Sequence, residues 1–234
     1  MKCDICIPVL NESSIIINTI RTIQEEVKKR PDIEWRIIVA DNGSTDDTRQ
    51  KVITAGLKNT ILLSISEKGK GIAIRRAAEY SLADFFCFID ADLSVSPKNI
   101  AVFIDHLSTG KDIVIGSRFL DETKVKRSYL RTVSSKLFNF VARIILPIRV
   151  KDAQCGLKCM NIKGKAVLIA CKETTWFLDL ELIAQATSAR LVIEELPIEW
   201  EEFYYVHRAS KLRVVRDGLH ALIAMMRIRQ ALKI

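Results

Sequence analysis

With 234 residues, 49% of them hydrophobic and 27% charged, the chain is long enough for a full core and too apolar to be a disordered or low-complexity chain. No apolar run reaches the roughly 18 residues of a membrane span, and Met1-Lys2 leads straight into a strand-like run, so neither a membrane helix nor a secretory leader is expected and the cytoplasm is the expected compartment. The net charge of +8 is unevenly spread: 123–151 hold eight Lys/Arg and no acid, 203–234 hold seven against Asp217 alone, and the rest of the chain is net acidic. Two basic segments on an acidic body call for an anionic partner.

In chain order, Cys3 to Val9 reads as a first strand, followed by Pro8-Val9-Leu10-Asn11-Glu12. Ser13 or Ser14 is placed to cap a helix carrying Ile16, Ile20, Ile23 and Val27 at helical spacing. Trp35 to Ala40 is a second strand, closing on Asp41-Asn42-Gly43-Ser44-Thr45-Asp46, which is turn chemistry joined to a helix start. After a helix to about Gly56 and a third strand, Thr60 to Ile65, the turn Gly69-Lys70-Gly71 opens another helix and has the form of a backbone N–H cradle for phosphate.

The fourth strand, Phe85 to Ile89, is apolar throughout, as expected of a strand covered on both faces of a parallel sheet. It ends in Asp90-Ala91-Asp92. Two carboxylates closing a buried strand need a cation or hydrogen bonds to offset their desolvation, and the carboxyl edge of an open α/β sheet is where ligands bind. Pro97 starts the next helix, and Asp112 to Gly116 is a fifth strand ending in Ser117-Arg118-Phe119.

From Tyr129 to Ile148 one helical face gathers Leu130, Val133, Leu137, Phe140, Val141, Ile144 and Ile148, and the opposite one Thr132, Lys136, Asn139 and Arg143. Such a helix fits an anionic bilayer surface, or else packs its stripe on the core. Asp152-Ala153-Gln154-Cys155-Gly156-Leu157-Lys158 reads as a loop entering a short strand, Thr174 to Thr187 as a helix with Asp179 and Glu181, Arg190 to Leu196 as a strand, and 206–234 as a basic C-terminal helix. The six cysteines read as buried free thiols, since Cys3-x-x-Cys6 lies inside a strand with no second pair. Nucleic acid is not the expected partner, because the cations lie beside aliphatic rather than aromatic side chains.

Taken together, Pro8 to Glu12, Asp41 to Asp46, Gly69-Lys70-Gly71, Asp90-Ala91-Asp92, Ser117-Arg118-Phe119, Asp152 to Lys158 and Ser210-Lys211-Leu212 resemble, in order and spacing, the family 2 glycosyltransferases. The last two resemble the subgroup acting on dolichyl or polyprenyl phosphate, and Gln154-Cys155-Gly156-Leu157-Lys158 is similar to its glucosyl rather than its mannosyl members. The resemblance implies one GT-A domain over 1–234, a Rossmann-like, mostly parallel α/β sheet flanked by helices, with basic amphipathic segments at 120–151 and 206–234. It implies Mg2+ or Mn2+ as cofactor, UDP-glucose or GDP-mannose as donor, and a lipid phosphate at the cytoplasmic face of a membrane as acceptor. By position, Pro8, Glu12 and Asp41 would meet base and ribose, Lys70 the nucleotide, and Asp90 and Asp92 the metal and diphosphate. Arg118, Arg131, Ser210 and Lys211 would meet the acceptor phosphate or the leaving diphosphate. Ser94 stands where mannosyl members carry a Gln ligand, which rests the metal mainly on Asp92.

A phosphate acceptor is already anionic and needs cations to position it, which suits arginine. A hydroxyl acceptor needs a base, for which Asp179 is the candidate, with a solvent-facing helix carboxylate as its alternative reading.

Overall fold

The computed structural model describes residues 1–120, 124–126, 129–201 and 214–233, with the side chains of 121–131 and 202–218 outside that description. Strands β1 (Lys2–Val9), β2 (Glu34–Asp41), β3 (Thr60–Ser64) and β4 (Phe85–Ile89) run parallel and are joined by α1 (Ile16–Val27), α2 (Thr48–Ala55) and α3 (Lys70–Tyr80). Then follow α4 (Asn99–Ser108), β5 (Ile113–Ser117), β6 (Lys124–Lys126), α5 (Tyr129–Ile145), β7 (Leu157–Met160), α6 (Ile162–Ala170), α7 (Leu178–Ser188), β8 (Ile193–Pro197), β9 (Glu199–Glu201) and α8 (Val214–Ala231).

The main sheet has the order β3-β2-β1-β4-β7-β5-β8, and only β7 runs against its neighbours. The chain leaves β1 toward β2 on one side and returns to pair β4 on the other, so a topological switch point lies between β1 and β4. Helices cover both faces. On β4, Phe86 and Phe88 join a core with α3 and α7, while Phe85, Cys87 and Ile89 join a second core with α1 and α4. The all-apolar strand is therefore buried on both sides, as its composition requires.

The same alternation settles the cysteines. Cys3 and Cys6 are three apart on β1 and face opposite cores, so they cannot converge on a metal or a disulfide. All six thiols are free and buried.

Several boundaries differ from expectation. Neither Ser13 nor Ser14 caps α1: Ile15 occupies the cap, and the Glu12 carbonyl accepts the first amides, from Ile15 and Ile16. The helix expected from Thr174 starts at Leu178, because Thr174 and Thr175 pack against the glycines of the α3 turn. Helix α6 was not anticipated, although Asn161 marks its start by accepting from Lys163 and Gly164 N–H (2.9 and 3.1 Å). Strands β6 and β9 form a small parallel sheet of their own, with Lys124 opposite Glu199 and Lys126 opposite Glu201.

Helix α5 turns its apolar stripe outward. Val133, Leu137, Phe140 and Ile144 are 45–65% exposed, whereas Asn139, Ala142 and Leu146 face the core. Core packing of the stripe holds only at its edge and end, where Val141 packs against the core and Ile148 is buried in it. Helix α8 packs beside α5 and likewise exposes a one-faced stripe, Leu219, Leu222, Ile223 and Met226 at i, i+3, i+4, i+7. Arg229 of α8 donates to the Ile145 carbonyl (3.3 Å), and Arg227 pairs with Glu173 (2.9 Å). Among the described residues no helix is long and apolar enough to cross a membrane.

Candidate active site

The loops after β1 and β2 are stitched together over the switch point. Asn11, which tolerates its left-handed φ of 58°, accepts from Thr45 N–H (2.7 Å), while its own N–H donates to Ser44 (2.9 Å). The Glu12 N–H donates to Thr48 Oγ1 (2.9 Å), and half-buried Pro8 sits opposite Ala40 in the β1–β2 register. Asp41 is fully buried at the end of β2. Its Oδ1 accepts from Gly43 and Ser44 N–H and from Arg49 Nε (2.6 Å), yet its Oδ2 is sealed from solvent without a partner among the described residues. Burial works against the Asp41 charge, but the bonds from Ser44 and Arg49 prevail and hold its pKa below the ordinary range.

One strand further along, Asp90 and Asp92 face a cavity of about 120 Å³, lined also by Ser94, Arg118, Gln154 and Trp200. Leu93 takes a left-handed φ of 49°, a strained conformation for a leucine. It is held by Leu93 N–H to Asp90 O (3.1 Å) and by Ser94 N–H to Asp92 Oδ1 (3.0 Å). Strand β9 ties the far side of this loop through Glu201 N–H to Ser94 O (3.0 Å), which brings Trp200 against Val95.

Burial, and then the neighbouring Asp90 charge, push the Asp92 pKa up. Excess negative charge of this kind calls for a cation. Lys70 supplies one, its Nζ 2.5 Å from Asp90 Oδ1. Burial disfavours the Lys70 charge, but Asp90, Asp179 and Asp92 outweigh that and raise its pKa. Among the described residues no third His, Cys, Asp or Glu joins the two carboxylates in a metal cluster. That donor set fits Mg2+ or Mn2+, which commonly take one or two carboxylates and fill the remaining positions with substrate phosphates and water.

The glycine turn differs from expectation in what it offers. The N–H groups of Gly71 and Ile72 both point to the Thr174 carbonyl (3.0 and 3.3 Å), so they do not cradle phosphate. A Cβ on Gly71 would lie 2.6 Å from the Thr175 carbonyl oxygen, so glycine there serves close backbone approach. Gly156 plays the same part beside Asp90, whose carboxylate occupies the space a Cβ would need.

Arg118 enters the cavity from the end of β5 and is clamped by Asp152. Its backbone N–H, Nε and Nη2 donate to that carboxylate at 3.0, 2.7 and 2.8 Å. Burial disfavours both charges, and each is held ionised by the other, the Arg118 pKa raised and the Asp152 pKa lowered. Glu195 of β8 in turn accepts from the Lys151 and Asp152 N–H groups (2.7 and 2.8 Å).

Asp179 is neither on the cavity wall nor on a solvent-facing helix side. It is buried and paired with fully buried Lys158 at 2.5 Å, whose Nζ also donates to the Cys155 carbonyl (2.8 Å). A carboxylate held in this way lacks the access a general base needs. The side chains of Arg131, Ser210 and Lys211 lie outside the described residues. The structure thus gathers Asp90, Asp92, Arg118 and Lys70, and sets Pro8, Glu12 and Asp41 on the adjoining strand ends. Asp152 and Lys158 were visible only as parts of a motif, and Trp200 carried no signal beyond an aromatic-rich stretch.

The pattern of Glycosyl transferase family 2 matches residues 4–163. The chain is 26% identical to the Haloferax volcanii glycosyltransferase AglD over 94% of its own length and 35% of that protein. It is 27% identical to the Saccharomyces cerevisiae dolichyl-phosphate beta-glucosyltransferase, over 97% of its own length and 74% of the yeast protein. To the Pyrococcus furiosus dolichol-phosphate mannosyltransferase it is 31% identical, over 67% of its own length and 45% of that protein. Among solved structures, glucosyl-3-phosphoglycerate synthase from Mycobacterium tuberculosis with Mn2+, UDP and glucosyl-3-phosphoglycerate superposes with a TM-score of 0.67 at 20% identity, over 96% of this chain and 79% of that one. Its complex with Mg2+ and UDP superposes with a TM-score of 0.68 at 18% identity, over the same shares. Likeness at that identity speaks to the fold alone.

Proposed function

Because the chain belongs to glycosyl transferase family 2, we propose that it transfers a hexose, with inversion, from a nucleotide-diphosphate sugar to a polyprenyl or dolichyl phosphate at a membrane surface. UDP-glucose is the favoured donor and the cytoplasmic face the favoured side. The observation that carries the reading is the shared cavity in which the Asp90–Asp92 pair faces the clamped Arg118.

Asp92, with Asp90, would hold the divalent ion against the donor diphosphate, where the ion's Lewis acidity stabilises the leaving group. Lys70 pairs with Asp90 and would meet a diphosphate oxygen when the donor enters. Asp41 Oδ2, buried and unanswered among the described residues, suits the N–H of a pyrimidine base. Arg118, oriented by Asp152, offers a fixed cation for the acceptor phosphate. A phosphate monoester needs no base, which accords with the pairing of Asp179 to Lys158. One displacement at the anomeric carbon turns an α-linked donor into a β-linked product.

The lipid acceptor is supported by the exposed apolar stripes of α5 and α8 together with Lys136 and Arg143 of α5, which are exposed like the stripe and do not follow Asn139 into the core, a composition suited to the headgroup region. The match to the Pyrococcus mannosyltransferase keeps GDP-mannose as the second donor. The test incubates purified protein with Mn2+, a panel of UDP- and GDP-sugars and a polyprenyl phosphate, and follows label into the lipid phase. Label reaching water-soluble acceptors but never the lipid phosphate would overturn the reading.

A further inference from the structure

The loop 151–156 is fixed almost atom by atom. Its Lys151 and Asp152 N–H groups are held by Glu195, its Ala153 N–H by buried Asn139 Oδ1 of α5 (3.0 Å), and its Cys155 carbonyl by Lys158. The Asp152 side chain is saturated by Arg118. Between these anchors sits Gln154, a residue of the cavity lining whose Nε2 is sealed from solvent and has no partner among the described residues. Leaving a buried amide unanswered is unfavourable, and a loop held this firmly cannot turn it out to water.

The same cavity holds a second polar group in that condition. The Ser94 hydroxyl is likewise sealed from solvent and has no hydrogen-bond partner among the described residues. Trp200 and Val95 supply an apolar wall beside both. A donor amide, a hydroxyl and an indole around one small cavity, next to the carboxylates assigned to the diphosphate, match one face of a pyranose: hydroxyls for the polar groups and C–H bonds for the ring.

We propose that Gln154 is a specificity-determining residue for the donor, its Nε2 donating to a hydroxyl of the hexosyl group seated against Trp200, with Ser94 as a second contact. The assignment rests on the nucleotide-sugar reading above and adds the residue that recognises the sugar itself. It predicts that Gln154 matters to a sugar nucleotide and not to the nucleotide without its sugar.

The test is titration calorimetry of the whole chain in Mn2+ with UDP and with UDP-glucose, on the wild type and on Gln154→Met, which keeps length and volume but loses the amide. The UDP affinity should stay within about twofold, while the UDP-glucose affinity falls by roughly tenfold, the effect of one well-made hydrogen bond. Gln154→Asn, which keeps the amide but withdraws it from the cavity, should show the same split and serves if the Met variant melts early. Equal weakening of both ligands, or no weakening of either, would each overturn the assignment. A wild type that binds neither UDP nor UDP-glucose would overturn UDP-glucose as the donor, and the assignment with it.

Discussion

At the carboxyl edge of the sheet the groups out of water are charged: Asp41, Asp152 and Lys158 are fully buried, and each has a charged partner at 2.5–2.7 Å. On α5 and α8 the pattern is reversed, with eight large apolar side chains exposed on two neighbouring helices. Each region departs from ordinary burial in the direction its partner would require. Buried pairs add little net stability, but they fix a guanidinium or a loop within a fraction of an ångström, which is what a phosphate-handling site needs. Exposed apolar stripes add nothing to folding, and in the proposed function a lipid surface would cover them.

The contrast is most sharply tested at Asp92. Asp92→Asn should lower turnover by about a thousandfold or more while leaving the melt within a few degrees, if the carboxylate serves the ion as proposed and not the core. Retained activity in assays with Mn2+ would remove Asp92 from its assigned role.

Asp152→Ala should cost about 3–5 kcal/mol in urea unfolding, since Arg118 is then left buried and uncompensated. The pH dependence follows from the lowered Asp152 pKa. Its contribution is complete above the ordinary aspartate value of about 3.9 and is lost as pH falls through the lower folded value. The isosteric change Asp152→Asn, which removes the titrating group, should therefore give a shallower acid decline than the wild type. Parallel curves would break the link.

For the helices, replacing Leu137, Phe140, Leu222 and Met226 together with Ser should weaken co-sedimentation with anionic vesicles by at least about tenfold and leave the circular dichroism unchanged. Lys136→Ser and Arg143→Ser should each reduce vesicle binding by about fivefold at low salt. Lys124→Ser with Lys126→Ser should change it by less than about twofold, because the β6–β9 register sets those positions opposite Glu199 and Glu201. Vesicle binding that ignores the apolar four and follows Lys124 and Lys126 would reverse the account of this surface.

Much of the carboxyl edge was legible in the linear sequence. The apolar run of β4 closing on Asp90 and Asp92, and the turn residues after β1 and β2, are local signals, because strand burial and turn chemistry are written within a few residues. The reversed strand β7 and the β6–β9 pair were not, because pairing depends on partners tens of residues away. The sequence showed that α5 has two faces but could not say which one meets the core. Tertiary packing turned Ala142 and Leu146 inward together with Asn139, which accepts from the Ala153 amide there. Likewise the chain displayed Arg118, Asp152, Gln154, Lys158 and Asp179 as separate letters. Only the tertiary structure joined two pairs of them into ion pairs and left the Gln154 amide without a partner among the described residues, since such contacts are chosen by three-dimensional proximity and the cost of an unpaired buried charge.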